Sequence, residues 1–316
     1  MTKRNNSDNI SFRVLNRAAT NSELSTLMMF NLELDRRIAG WRGLRVFRGD
    51  SLAAVKQRLG MTGDDIKLLG ERLFMIGDKA RHFQQPNHGA NNFAIHNTDQ
   101  QAFTYLFNKF VECKKNKAPY YVRFFQENIA FSEYFVTKNR KAFISKITDI
   151  PYVDQMQIRN YYLILLHHLA ESGYKQKSHF VSTSTDLNIA SGFANQRNIS
   201  GDRIELYGWR MGSGLSMAKL FLKHKLPTYK VPFPKQREIS FTAGILPHFI
   251  IGFKLPDRRE FHINPALFIT KPLDNKVFTT GLFVDQRLFP QVFAETNYNG
   301  FFYYHEGMYM EIGRIV

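Results

Sequence analysis

The stretch His179-Phe180-Val181-Ser182-Thr183-Ser184 reads as a strand, and Leu187 to Ala194 reads as a short helix directly after it. Here the chain changes character. Upstream, apolar residues recur at helical spacing over residues 27–38, 51–59, 64–74, 101–114, 123–136 and 153–169, and Gly173 closes the last of these. One strand-like run, residues 44–50, interrupts them and stops at Gly49-Asp50. Downstream, residues 203–209, 238–241, 248–255, 266–270 and 278–284 read as strands and lead to an aromatic tail, NYNGFFYYHEGMYMEIGRIV. Residues 81–100, rich in Asn with Pro and Gly, read as a long loop, and 211–219 and 224–236 as connections rich in Gly, Lys and Pro. Helices gathered in the first half and strands in the second predict an α+β fold, without the alternation of a parallel βαβ sheet.

The 316 residues are 44% hydrophobic and 22% charged, enough apolar material to bury a sizeable core. Residues 1–26 are rich in Asn, Ser and Thr and carry no apolar stretch of the secretory type. They are expected to be a flexible leader, of a composition that also suits a bacterial type III secretion signal. Residues 27–316 are expected to form a single domain. No run approaches the ~20 apolar residues of a membrane span. Cys113 is the only cysteine, which excludes an intrachain disulfide and a multi-cysteine zinc site. His82 and His88 lack a third ligand at usable spacing, so no metal is expected. His167-His168 falls in an apolar helical run and reads as one packed and one exposed histidine. Gly212-Ser213-Gly214 fits neither a phosphate-binding loop nor a nucleophile elbow.

Lys and Arg number 43 against 27 Asp and Glu, a net charge of +16. That excess suits a polyanionic partner or a phosphate-bearing substrate, and equally a basic coat spread over the surface. It does not choose between them.

Three short segments carry chemistry. They are Val46-Phe47-Arg48-Gly49; Phe180-Val181-Ser182-Thr183-Ser184 with the trailing Ala190-Ser191-Gly192-Phe193-Ala194; and Lys235-Gln236-Arg237-Glu238-Ile239-Ser240. In this order they resemble the Arg, Ser-Thr-Ser and Gln/Glu-x-Glu motifs of the bacterial mono-ADP-ribosyltransferases. The resemblance covers residues 45–50 and roughly 180–253. It implies a split β-sandwich with an NAD cleft between two small sheets, and a helical insertion at about 51–175. The insertion accounts for the long interval between Arg48 and Ser182, with Arg45 as the alternative arginine.

The resemblance implies these roles. Arg48 would bind the NAD phosphates through its planar guanidinium, and Gly49 would let the backbone approach the ligand. Glu238 would hold the ribose 2′-hydroxyl and face the oxocarbenium-like charge that develops as nicotinamide leaves. Ser182 would hydrogen-bond Glu238, with Thr183 and Ser184 completing the cofactor-binding strand. Gln236, two residues before Glu238, would share its strand face and meet the acceptor. An amide there points to a neutral acceptor (Thr, Asn, Ser or Gln) rather than arginine. The loop 224–236, with Tyr229 and Phe233 between prolines, would recognise a protein acceptor or else pack internally. Phe193 would wall the nicotinamide pocket or belong to the core.

The expected protein is thus a monomeric effector secreted by a bacterium. It would act in the host cytosol on a host protein such as a GTPase or ubiquitin, with NAD as substrate and no metal. Two other classes stay open: an NAD glycohydrolase toxin, and a basic nucleic-acid-binding protein, which is less favoured.

Overall fold

The computed structural model describes residues 10–38, 45–76, 99–169, 180–195, 202–209, 214–242, 250–268, 301–305 and 308–313. The strands are β1 (Ser11–Val14), β2 (Arg17–Ala18), β3 (Arg45–Ser51), β4 (Phe180–Ser184), β5 (Arg203–Trp209), β6 (Gly214–Ser216), β7 (Glu238–Thr242), β8 (Ile250–Leu255), β9 (Glu260–Ile263), β10 (Phe301–His305) and β11 (Met308–Gly313). The helices are α1 (Asn21–Ile38), α2 (Leu52–Arg58), α3 (Ile66–Ile76), α4 (Asp99–Lys115), α5 (Pro119–Glu127), α6 (Ile129–Tyr134), α7 (Arg140–Thr148), α8 (Tyr152–His168), α9 (Leu187–Asn195) and α10 (Met217–Lys223). The fold is α+β.

The described strands join in one mixed sheet of order β2-β1-β9-β8-β5-β3-β4-β7-β10-β11-β6. The join between its halves is narrow. β3 pairs with β5 along its whole length, from Arg45 opposite Trp209 to Ser51 opposite Arg203. With β4 it shares a single registered pair, Phe47 opposite Ser184. The sheet is therefore hydrogen-bonded throughout, and its seam lies between β3 and β4.

Two cores flank this seam. One gathers β-strand residues Val46, Val181, Ile204, Leu206, Ile239 and Phe253 with Leu52, Val55, Leu69 and Leu73 from α2 and α3. The other is helical and rich in aromatics, with Phe103, Phe107 and Phe110 of α4, Phe131, Phe143, and Tyr161 to Leu166 of α8. Residues 157–166 of α8 are all buried, so this helix runs through the middle of its lobe. The separate helical unit thus begins at α4, because α2 and α3 of the expected insertion belong to the sheet's core.

Other boundaries also differ from expectation. Residues 10–26, assigned to the leader, carry β1, β2 and the start of α1. Ser11 to Arg13 pairs in parallel with Glu260 to His262 of β9, so partners in the last quarter of the chain order this segment. Residues 265–268 form a 3-10 turn where a strand was expected, and the alternating Glu260-Phe261-His262-Ile263 just before it is the strand. The connection at 211–219 contains β6 and the start of α10. The expected strand at 278–284, and His82 and His88, lie outside the described residues.

Candidate active site

β4 and β7 run antiparallel with Ser182 opposite Ser240 and Ser184 opposite Glu238. Residues two apart on a strand, and residues directly opposite across a ladder, share a face. Ser182, Ser184, Glu238 and Ser240 therefore line one side of the sheet. Burying a carboxylate there requires compensating hydrogen bonds. The Ser240 hydroxyl donates to Glu238 Oε1 at 2.7 Å. His168 Nε2 lies 2.9 Å from Glu238 Oε2, with only 3% of its side chain exposed. Beside it, His167 Nε2 meets Ser182 Oγ at 3.1 Å. The Glu238 carboxyl is held well below the usual carboxylate range. Burial opposes its ionisation, but the charge and hydrogen bond of His168, the charge of His167 and the Ser182 hydroxyl outweigh it.

Ser182 and Glu238, expected to act together, are thus brought together side chain to side chain. Both histidines join them, which corrects the reading of one packed and one exposed residue. They reach the sheet because α8 ends here and its last turn sits over β4 and β7. Nothing local in the sequence announces this. Ser240 could have been found, since it stands two residues after Glu238 on the same strand.

Arg48 is placed differently. Its Nη1 donates to the carbonyl oxygen of Ser182 at 2.8 Å, occupying the seam where β3 and β4 part and no ladder bond reaches that carbonyl. Its Nη2 lies 3.6 Å from Asp50 Oδ2, which also accepts from Arg58 Nη2 at 2.5 Å. These three charged groups line a cavity of about 20 Å³ together with Val55, Val181 and Leu206. Val181 and Ser182 point to opposite faces of β4. The guanidinium therefore meets the Ser182 main chain from the side away from Glu238. Arg45 is further removed, with Nη2 directed to Asn31 Oδ1 at 3.4 Å.

Four expected site residues have other duties. A Cβ on Gly49 would lie 1.9 Å from the Ala190 carbonyl oxygen and 3.2 Å from the Ala194 Cβ. Gly49 thus serves the close approach of α9 to β3, not of a ligand. Thr183 and Ser184 are each 4% exposed. Their hydroxyls donate to the Ile239 and Gln236 carbonyls, both at 2.8 Å, and Ser184 Oγ also accepts from the Asp186 N–H. These bonds lock β4 to the entry of β7 and leave the two residues as braces rather than cofactor ligands. Gln236 is not on the strand. It ends the 3-10 turn Pro234–Gln236, and Arg237 follows in the left-handed region at φ 47°, so strand alternation cannot align Gln236 with Glu238.

The loop before Glu238 is docked, not free. Tyr229 is buried and stacks on Tyr161 at a centroid distance of 4.3 Å, and its hydroxyl donates to the Tyr161 carbonyl at 2.9 Å. The Tyr162 hydroxyl donates to the Pro227 carbonyl, and Asn128 Oδ1 accepts from the Lys230 N–H. Phe233 stacks parallel to Tyr120 at 5.7 Å. Packing internally is therefore what Tyr229 and Phe233 do. Phe193 is 41% exposed and belongs to neither core.

On the same face of β5, Glu205 is buried opposite Gly49. It accepts from Ser191 Oγ of α9 at 2.6 Å and from the Tyr207 hydroxyl at 3.2 Å, and burial with this carboxylate pushes the Tyr207 phenol up. Cys113 is buried in the helical core. Among the described residues, no group of three or more His, Cys, Asp or Glu is set to hold a metal ion, and no helix is long and apolar enough to cross a membrane.

What the arrangement offers is a carboxylate at the start of β7, met on one oxygen by the Ser240 hydroxyl and on the other by His168 from the last turn of α8. No protein-family model, curated protein or solved structure matches this chain, so its chemistry is argued from these residues alone.

Proposed function

We propose that this protein is an NAD-dependent mono-ADP-ribosyltransferase with Glu238 at its centre. The single observation that carries the reading is the Glu238 carboxylate, held between the Ser240 hydroxyl at 2.7 Å and His168 Nε2 at 2.9 Å on the strand next to the one bearing Ser182. A fixed negative charge near C1′ stabilises the positive charge that moves onto the ribosyl group in the transition state more than the same charge spread over the nicotinamide ring in the ground state. Of the residues first expected to hold NAD, Ser182 and Glu238 suit it, whereas Arg48 lies on the side of β4 away from Glu238 and is already bonded to the Ser182 carbonyl and paired with Asp50. Gly49, Thr183 and Ser184 do not suit it either, because their space or their hydroxyls are already used.

NAD supplies a ribose C1′–N bond whose electron pair leaves with nicotinamide as a neutral molecule. Glu238 would accept the ribose 2′-hydroxyl hydrogen bond and face C1′. The acceptor heteroatom then bonds C1′ and loses its proton to solvent. A protein side chain remains the proposed acceptor, but its type no longer follows from Gln236, which does not share the Glu238 strand face.

The test is purified protein with labelled NAD and a eukaryotic lysate, beside Glu238→Gln. Label on a discrete band that falls at least about 100-fold in the variant is the expected result. Free ADP-ribose without a band would move the assignment to an NAD glycohydrolase. No NAD consumption under any condition would refute the reading.

A further inference from the structure

Neighbouring residues on a helix point about 100° apart, so two adjacent histidines rarely serve one site. His167 and His168 do so here by lying at the end of α8, where His167 reaches Ser182 and His168 reaches Glu238. We propose that His168 is the positioning residue for Glu238, making the helical unit part of the reaction machinery rather than an appendage. This rests on the transferase reading above.

The geometry that supports it is two-sided. Glu238 Oε1 takes the Ser240 hydroxyl and Oε2 takes His168 Nε2, so the carboxylate plane is set by one group from its own strand and one from α8. The imidazole is in turn held. The Tyr120 hydroxyl of α5 donates to the His168 carbonyl at 3.3 Å, and the Phe233 ring stands edge-on to the imidazole at 6.4 Å. Phe233 itself stacks on Tyr120, so α5, α8 and the loop entering β7 clamp one ring. Among the described residues, the titratable groups near His168 include Glu238 from β7, His167 from its own helix and Tyr120 of α5, whose hydroxyl meets the His168 carbonyl. With Oε2 directed at His168, a ribose hydroxyl would take a remaining lone pair of a carboxylate that cannot rotate. A 1 Å misplacement of a reacting group costs on the order of 100-fold in rate.

The experiment measures nicotinamide release by wild type, His168→Phe and His168→Gln from pH 5 to 9, with thermal melts of each as the folding control. The expected result for His168→Phe is a kcat lower by about 100-fold with KM for NAD changed less than about threefold. His168→Gln keeps an N–H at similar reach and is expected within about tenfold of wild type. Wild-type kcat in a folded His168→Phe overturns the proposal. So does a folded His168→Gln about 100-fold slower than wild type, which serves where the Phe variant does not fold. Absence of NAD turnover in wild type sinks the transferase reading itself and this inference with it, an outcome distinct from an active wild type matched by its variants.

Discussion

Gly49→Ala separates two roles for the same glycine. If Gly49 makes room for a ligand, the substitution weakens NAD binding and leaves the fold alone. The structure instead puts the new Cβ 1.9 Å from the Ala190 carbonyl oxygen, where contacts under 3.0 Å are essentially never found. Helix α9 must retreat from β3 by about 1 Å, since the obstacle is backbone and not a flexible side chain. That retreat stretches the 2.6 Å bond from Ser191 Oγ to Glu205 Oε1 beyond hydrogen-bond range and leaves a 5%-exposed carboxylate with Tyr207 alone. Overpacking costs about 1–3 kcal/mol. Losing a hydrogen bond to a buried charge adds roughly 1.5–3 kcal/mol, for a total near 3–5 kcal/mol. At about 2.1 cal/mol/K per residue of unfolding entropy, a chain of this length then melts roughly 5–8 °C lower.

Thermal unfolding followed by circular dichroism reads this directly. Gly192→Ala is the matched control: it lies in α9 with nothing within 4 Å of its Cβ, and should gain up to about 1 kcal/mol from helix propensity. A Gly49→Ala protein melting within a degree of wild type, with NAD binding reduced, would refute the packing argument and restore the ligand role.

Acid titration tests the Glu238 clamp. Its folded-state pKa lies below the ordinary 4.5, so its contribution to stability is complete above that value and is lost as pH falls toward the lower folded one. Urea midpoints of wild type should therefore fall more steeply below pH 4.5 than those of Glu238→Gln, and parallel slopes would count against a depressed pKa. The docked loop makes a ranked prediction. Tyr229→Phe removes one hydroxyl bond and should cost about 1 kcal/mol. Tyr161→Phe also strips the acceptor from the buried Tyr229 N–H and should cost up to about 3 kcal/mol, whereas a free recognition loop would make both silent in denaturant unfolding.

Much of the architecture was legible in local pattern. The β-branched and aromatic run at Phe180–Ser184, and polar alternating with apolar residues at Arg203–Trp209, named β4 and β5, and helical periodicity found α1, α4 and α8, because these signals depend only on local residue type and on which residues lie two or three to four apart. The pairing of Ser182 with Glu238 was reached from motif order, and their strands are indeed neighbours. Long-range partners were not legible. Ser11–Val14 alternates polar with apolar residues over too short a run to stand out from the polar stretch around it until β9 offers it a ladder, and Gly49 looks like ligand chemistry until α9 is seen against it. Gln236 shows the limit of a strand rule: one residue in the left-handed region between it and Glu238 cancels the alternation.

The His167-His168 pair marks the same division. Sequence by itself determined that α8 is an apolar helix and that its last turn carries two imidazoles, since periodicity and composition are local properties. Only the tertiary structure decided that this turn lies over β4 and β7 and that the imidazoles meet Ser182 and Glu238. The first contact spans 15 positions and the second 70, both through the packing of a separate aromatic core, and no spacing along the chain encodes where that packing will end.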